Sequence, residues 1–287
     1  MDILRVLFFP GLLFMALCGC FLLLLEGRLN SAFYGTKTPR LRSLAAGKEE
    51  YEPSTAGELT AMTVSLAAMG LAGVLLVRIE GDLFVLLLLF AAIEAVPLFP
   101  LVAAGVEQGS RAPLLFQAAL LRMAAVACVV VSLSLRFPGD FAPGLETFKG
   151  EGVFSAVQLW SGRDYAFILA SLVCAALAMF VFLLGRPACR AFAGAGADGI
   201  KGLHALVGEG SERAVALLLF TVLFLGYPWE GGSGLLAWSG AALGTALLAT
   251  AARAVLEGRD EVTLRRLQAA AALFALLSLA LAFAAVV

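Results

Sequence analysis

Two charged side chains lie inside long apolar stretches, and their types and positions could support chemistry. Glu94 follows one leucine-rich run, and Arg122 lies within the next one. A charge at membrane depth is costly unless it is paired or hydrated, and it often marks an ion path. Pro97 and Pro100 then break helical hydrogen bonds and free carbonyl groups for water. The pattern predicts that Glu94 takes up and releases a proton beside Arg122. The alternatives are a static buried ion pair, or an Arg122 that pairs elsewhere while Glu94 stays protonated.

Three further carboxylates lie close to this stretch. Glu58, Glu80 and Asp82 fall at the ends of predicted helices, where they could extend a proton path or simply be solvated helix-end charges. We include them as candidates for the proton pathway. No catalytic residue is predicted.

The elements that must position these side chains follow from the composition. Of the 287 residues, 61% are hydrophobic and 14% are charged, and the mean hydropathy is +0.96. A water-soluble domain has roughly 45–50% apolar and about 25% charged residues. The sequence therefore predicts an all-α membrane protein. A net charge of −1 excludes a large basic face for nucleic acid.

Apolar runs of membrane length predict eight transmembrane helices in a single polytopic domain that covers residues 1–287. A helix needs about 20 apolar residues to cross the hydrocarbon core. The predicted segments are 7–25, 59–77, 83–106, 113–135, 164–185, 214–229, 234–252 and 267–287. Glu94 and Arg122 then lie at similar depths on adjacent helices.

The basic residues predict the orientation. Fourteen of the 20 Lys and Arg residues follow the first, third, fifth and seventh segments, and five lie on the opposite side. The positive-inside rule places the larger set in the cytoplasm. We expect a bacterial or archaeal inner membrane protein with both termini outside, long cytoplasmic loops at 26–58 and 186–213, and an outer loop at 136–163.

Charged residues in the cytoplasmic loops are candidates for docking a peripheral protein, because long loops commonly carry binding surfaces. The candidates are Glu26, Arg28, Lys37, Arg40, Arg42, Arg111, Arg186, Arg190, Asp198, Lys201, His204, Glu209, Glu212 and Arg213. One histidine and five cysteines without a Cys-x-x-Cys spacing predict no metal site and no directly bound cofactor.

Several short motifs resemble those of the subunit 1 (H-type) membrane protein of respiratory complex I. The relevant stretches are Glu26-Gly27-Arg28, Tyr34-Gly35, Pro39, Gly47-Lys48-Glu49-Glu50-Tyr51-Glu52-Pro53, Asp82, Arg111, Arg186-Pro187 and Leu225-Gly226-Tyr227-Pro228-Trp229. The chain resembles more closely the shorter relatives in membrane-bound group 4 nickel–iron hydrogenases and formate hydrogenlyase. The segment from Arg186 to Gly202 keeps only Asp198 as an acid, which argues against a quinone site.

This resemblance implies a subunit that anchors a redox arm and couples its electron transfer to H⁺ or Na⁺ translocation. The implied partners are hydrophilic iron–sulfur and hydrogenase-like or complex I-like subunits, antiporter-like membrane subunits and lipid. Iron–sulfur clusters, and a nickel–iron centre in hydrogenase-like relatives, would belong to those partners. Two other hypotheses are a stand-alone proton- or cation-coupled transporter and a purely structural scaffold.

Overall fold

The computed structural model describes the helical part of the chain. The described residues are 4, 7, 8, 11–34, 56–78, 82–95, 112–135, 165–184, 200–226, 232–256 and 261–286. The predicted outer loop 136–163 lies outside them, as do Pro97, Pro100, Glu80, Lys37, Arg40, Arg42, Arg111, Arg186, Arg190 and Asp198. For Glu58, Lys201, His204 and Glu209 only the helical backbone is described.

Eight α-helices form within the described residues, and each overlaps one of the eight predicted segments. They are α1 (Leu12–Tyr34), α2 (Ala56–Arg78), α3 (Leu83–Ala95), α4 (Ala112–Ser134), α5 (Tyr165–Leu183), α6 (Ile200–Phe220), α7 (Gly232–Leu256) and α8 (Glu261–Val286). A π-helical turn, Thr221–Leu225, continues α6. The prediction of helical structure is confirmed, whereas eight membrane spans are not established.

In the part of the chain that the structure describes, three helices are long and apolar enough to cross a membrane. Their qualifying stretches are Phe116–Ser134 in α4, Tyr165–Leu183 in α5 and Arg266–Ala285 in α8. Shorter apolar stretches of 10–17 residues occur in α1, α2 and α3. The chain therefore has the character of a membrane protein, and these three helices carry the clearest signal.

The helices pack as two groups that meet along α3 and α6. Helices α4, α5 and α8 contact one another, and α1, α2 and α6 form a second mutually contacting set, with α7 against α1. Helix α3 connects the groups by packing on both α2 and α4, and α6 also reaches α5. The apolar core runs through both groups, from Met15 and Leu76 to Leu172 and Phe224.

Two predicted loop boundaries are wrong. Residues 26–34 belong to α1, and residues 200–213 belong to α6, so Glu26, Glu212 and Arg213 lie in helices and not in loops. Gly202, Gly208 and Gly210 lower the intrinsic helix propensity of this stretch, which favoured a loop from sequence. Tertiary packing outweighs that preference, since α6 lies against α1 and α2.

Two glycines allow α1 and α6 to approach closely. A Cβ atom added to Gly19 would lie 2.0 Å from the backbone carbon of Gly210, which is far inside van der Waals contact. Only a residue without a side chain fits at this crossing. The contact brings the two helix backbones together and sets the separation across which their charged side chains can pair.

The π-helical turn ends at Gly226, which has φ = 75°. Glycine adopts this positive φ without the strain that a side chain would cause. The π-helical turn that continues α6 therefore ends at Gly226. Tyr227, Pro228 and Trp229 lie outside the described residues.

Candidate functional site: a buried array of ion pairs

Glu94 and Arg122 form an ion pair, a contact that the sequence left open. Glu94 occupies the last turn of α3, and Arg122 faces it from α4. The Nε and Nη2 atoms of Arg122 lie 3.1 and 3.0 Å from Oε1 of Glu94, and both residues are buried, with 1% and 5% of their surfaces exposed. The carboxylate therefore faces the bundle interior and not lipid.

A second carboxylate binds the same guanidinium. Nη2 of Arg122 donates to Oε1 of Glu212 on α6 at 2.9 Å. The side chain of Glu212 is 12% exposed, compared with 2% for Glu94. Arg122 thus joins α3, α4 and α6 at the junction of the two helix groups. We call Glu94, Arg122 and Glu212 the acidic trio.

The aromatic ring of Phe182 completes the environment of Arg122. The Cζ atom of Arg122 lies 4.4 Å from the ring centroid, and Nη1 donates a long hydrogen bond of 3.5 Å to the Phe182 carbonyl. Phe90 packs edge-on against Phe182, with 5.7 Å between the ring centroids. A planar guanidinium suits this position because it can stack on the ring and bind carboxylates in its plane.

A second ion cluster joins α1, α6 and α7. Arg213, the residue after Glu212, forms a very short contact with Oε2 of Glu26. Arg253 on α7 approaches the other oxygen, with 3.5 Å between its Nε and Oε1 of Glu26. At most 10% of each of these three side chains is exposed. We call Glu26, Arg213 and Arg253 the basic trio.

The positions of Glu26, Glu212 and Arg213 correct the sequence interpretation of them as loop residues. They lie on helices and make ion pairs within the bundle, because α1 and α6 continue through stretches that were predicted to be loops. Arg28, by contrast, is exposed at the same end of α1.

Asp82 does not lie beside Glu94. Its side chain is exposed, and its carbonyl accepts a hydrogen bond of 3.2 Å from the backbone N–H of Leu86 at the start of α3. Glu94 is twelve residues further along, or about 18 Å at 1.5 Å per residue. The position of Asp82 matches the helix-end alternative.

Sequence reasoning missed Arg253 and the role of Phe182. It also did not pair Arg122 with Glu212. Arg253 is separated from Glu26 by 227 residues, and periodicity within a helix carries no information about such a contact. The local sequence gave no signal of burial for Glu212 and Arg213, because charges directly before an apolar run are common at the end of a membrane segment.

Buried serines form a separate, neutral cluster. Ser132 on α4, Ser171 on α5 and Ser278 on α8 meet with 2.7 Å between the Oγ atoms of Ser132 and Ser278. Ser171 donates from Oγ to the Ser278 carbonyl at 2.6 Å. The cluster thus links the three helices with the clearest membrane-spanning character.

Among the residues that the structure describes, no three His, Cys, Asp or Glu side chains lie close enough together to hold a metal ion. The ion array consists of carboxylates from Glu94, Glu212 and Glu26 and of arginines that carry fixed positive charge. Oε1 of Glu94 and Oε1 of Glu212 both contact Nη2 of Arg122.

Comparisons with known proteins add no family assignment. A scan against known protein families finds no match. A search of curated proteins likewise finds no similar sequence. The class of protein is thus defined by the fold and the site: a helical membrane protein whose interior contains an array of charged side chains.

Proposed function

We propose that this chain is the membrane-embedded anchoring and coupling subunit of a complex I-like or energy-converting hydrogenase-like redox complex. In this role it links electron transfer in a peripheral arm to movement of H⁺ or Na⁺. The observation that carries the proposal is the acidic trio, in which Arg122 holds carboxylates from two different helices inside the bundle. The motifs shared with subunit 1 of complex I supply the redox context.

A proton path is supported by the chemistry of the trio. Ionisable groups inside a membrane protein carry a desolvation cost even when they are paired. Such groups often serve a function, and this supports a functional role for the trio. Glu212 is more exposed than Glu94, and the two share Arg122. In this proposal Glu212, the more exposed carboxylate, receives the proton first, and Glu94 is the next acceptor, with Arg122 in contact with both.

Purification from the native host tests the anchoring role. A tagged chain extracted in mild detergent should co-purify with iron–sulfur subunits, detected by their visible absorption and by mass spectrometry. Recovery of the chain alone, together with ion uptake by that chain in liposomes, would instead favour a stand-alone transporter.

A variant of the whole complex in liposomes tests the coupling role. Glu94→Gln should leave electron transfer in place while lowering ion translocation per electron at least tenfold, because the amide cannot carry a proton. Thr245→Ala is a matched control, since the Thr245 hydroxyl is exposed and donates to the Ala241 carbonyl of its own helix. A structural scaffold predicts unchanged translocation in both variants.

A further inference from the structure

The buried face of α8 carries one long polar side chain. The buried residues among those described on this helix recur at intervals of three or four positions: Gln268, Ala271, Ala275, Ser278 and Ala282. Such spacing places them on one face of the helix. The contacts of Ser278 with Ser132 and Ser171 show that this face packs on α4 and α5. Gln268 therefore points between helices and not toward lipid.

The amide nitrogen of Gln268 has no hydrogen-bond partner among the residues that the structure describes. Only 7% of the residue is exposed, and Nε2 itself is enclosed, so no room remains beside it for a water molecule. The hydroxyls of Ser65 and Ser211 are also enclosed without a partner in the described part of the chain, but a serine hydroxyl can turn to a carbonyl of its own helix. The longer amide of Gln268 reaches away from its backbone, and an unpaired buried donor destabilises the fold.

Distances along the helices place Gln268 near the end of α5. It precedes Ser278 by ten residues, or about 15 Å. Ser171, which contacts Ser278, lies six residues after the start of α5 and twelve before its end at Leu183. On the side of its start, α5 extends only about 9 Å beyond Ser171. Helix α5 can therefore cover Gln268 only on the side of Leu183.

The last turn of α5 offers acceptors at that level. Carbonyls in the final turn of a helix have no N–H group of the same helix to bind. The Phe182 carbonyl accepts a contact of 3.5 Å from Arg122, which is long for a hydrogen bond, and a carbonyl oxygen has two lone pairs. A shift of α8 along α5 would bring the Gln268 amide to this turn.

The rest of the buried face allows such a shift. Its alanines are small, so they offer little steric resistance when α8 moves along its neighbours. The Oγ atom of Ser278 lies 2.7 Å from Oγ of Ser132 and 3.2 Å from Oγ of Ser171, and in each pair either hydroxyl can donate. The serine cluster can thus exchange partners as the helix moves, and small sliding movements of packed helices are a known form of conformational change.

We propose that α8 has two positions along α4 and α5. In the described position the serine cluster is complete and the Gln268 amide lacks an acceptor. In the second position, less than one helical turn or about 5.4 Å away, Gln268 donates to a carbonyl in the last turn of α5. Each position satisfies one polar group of α8 at the expense of another, so both are populated. The proposal concerns hydrogen bonds and not transport, so it stands or falls separately from the proposed function.

The first test measures distances between α4 and α8 in the full chain in nanodiscs. Spin labels are attached at Leu120→Cys and Leu277→Cys, two exposed positions, after the five native cysteines are replaced. The parent should show two distance populations that differ by up to about 5 Å. Gln268→Met keeps the side-chain length but cannot donate, so only one population should remain. A single narrow population in the parent, or two populations in Gln268→Met, would overturn the proposal.

Thermal unfolding in the same nanodiscs gives the second test. Gln268→Met removes a buried donor that lacks a partner in the described position, so Tm should rise by about 2 °C or more. Leu276→Met is the matched control, because it introduces methionine at an exposed position of the same helix and should change Tm by less than about 1 °C. If Gln268→Met unfolds at or below the Tm of the parent, the amide already has a partner and the proposal is wrong.

Discussion

The serine cluster and the ion array solve the same structural problem with different chemistry. Both join helices by buried polar contacts: Ser132, Ser171 and Ser278 link α4, α5 and α8, and the trios link α1, α3, α4, α6 and α7. Hydroxyls satisfy one another at little desolvation cost, whereas carboxylates and guanidiniums carry a large one. The serines join α4, α5 and α8 at a low desolvation cost, whereas the ion array joins its helices at a higher one.

Loss of Arg122 should have the largest effect and would test whether the array is also essential for stability. Arg122→Leu leaves two buried carboxylates without their shared guanidinium, so we expect a loss of about 3–5 kcal/mol in the free energy of unfolding. The measurement is thermal unfolding in detergent. Arg122→Lys keeps the positive charge but not the planar contacts and should lose less. If Arg122→Leu were as stable as the parent, the ion pairs of Arg122 would contribute little to the stability of the protein.

A substitution at the close contact between Gly19 of α1 and Gly210 of α6 should cause the next largest loss of stability. Gly19→Ala places a Cβ about 2.0 Å from the backbone of Gly210, and the overlap should cost about 1–3 kcal/mol as α1 and α6 separate. It should also weaken the contact between Glu26 and Arg213, which spans the same two helices.

Gly240→Ala is the matched control for that crossing, because a Cβ on Gly240 meets nothing within 4 Å. Alanine has the higher helix propensity, so this variant should gain up to about 1 kcal/mol. Both variants are compared by thermal unfolding in the same detergent. A similar Tm for the two would show that the close approach of α1 and α6 contributes little.

The smallest effect is expected in the serine cluster. Ser278→Ala removes one hydroxyl shared by two neighbours, and interhelical hydrogen bonds in membrane proteins contribute roughly 0.6 kcal/mol on average. We expect a loss of about 1 kcal/mol, measured by unfolding in mixed detergent micelles, and unchanged ion translocation. A loss as large as that of Arg122→Leu would remove the contrast between the two regions.

The sequence singled out two residues of the site because both stand out from an apolar background. Glu94 and Arg122 are charged residues within adjacent apolar segments, and the depth argument predicts a similar level for them but does not decide whether they pair. Glu212 was harder to place, because three glycines made its stretch resemble a loop and hid the helix that carries it. Arg253 offered no local signal of its partner.

By itself, the sequence determined the helical class, the approximate places of the eight helices and the prominence of Glu94 and Arg122 as charges in adjacent apolar segments. These features depend on composition and on the length of apolar runs, which a membrane constrains directly. Only the tertiary structure decided that Arg122 binds both Glu94 and Glu212, that Glu26 contacts both Arg213 and Arg253, and that three serines meet at one point. Those contacts join residues far apart in the chain, and the shapes of packed helices, above all the glycine contact between α1 and α6, select them from many alternatives.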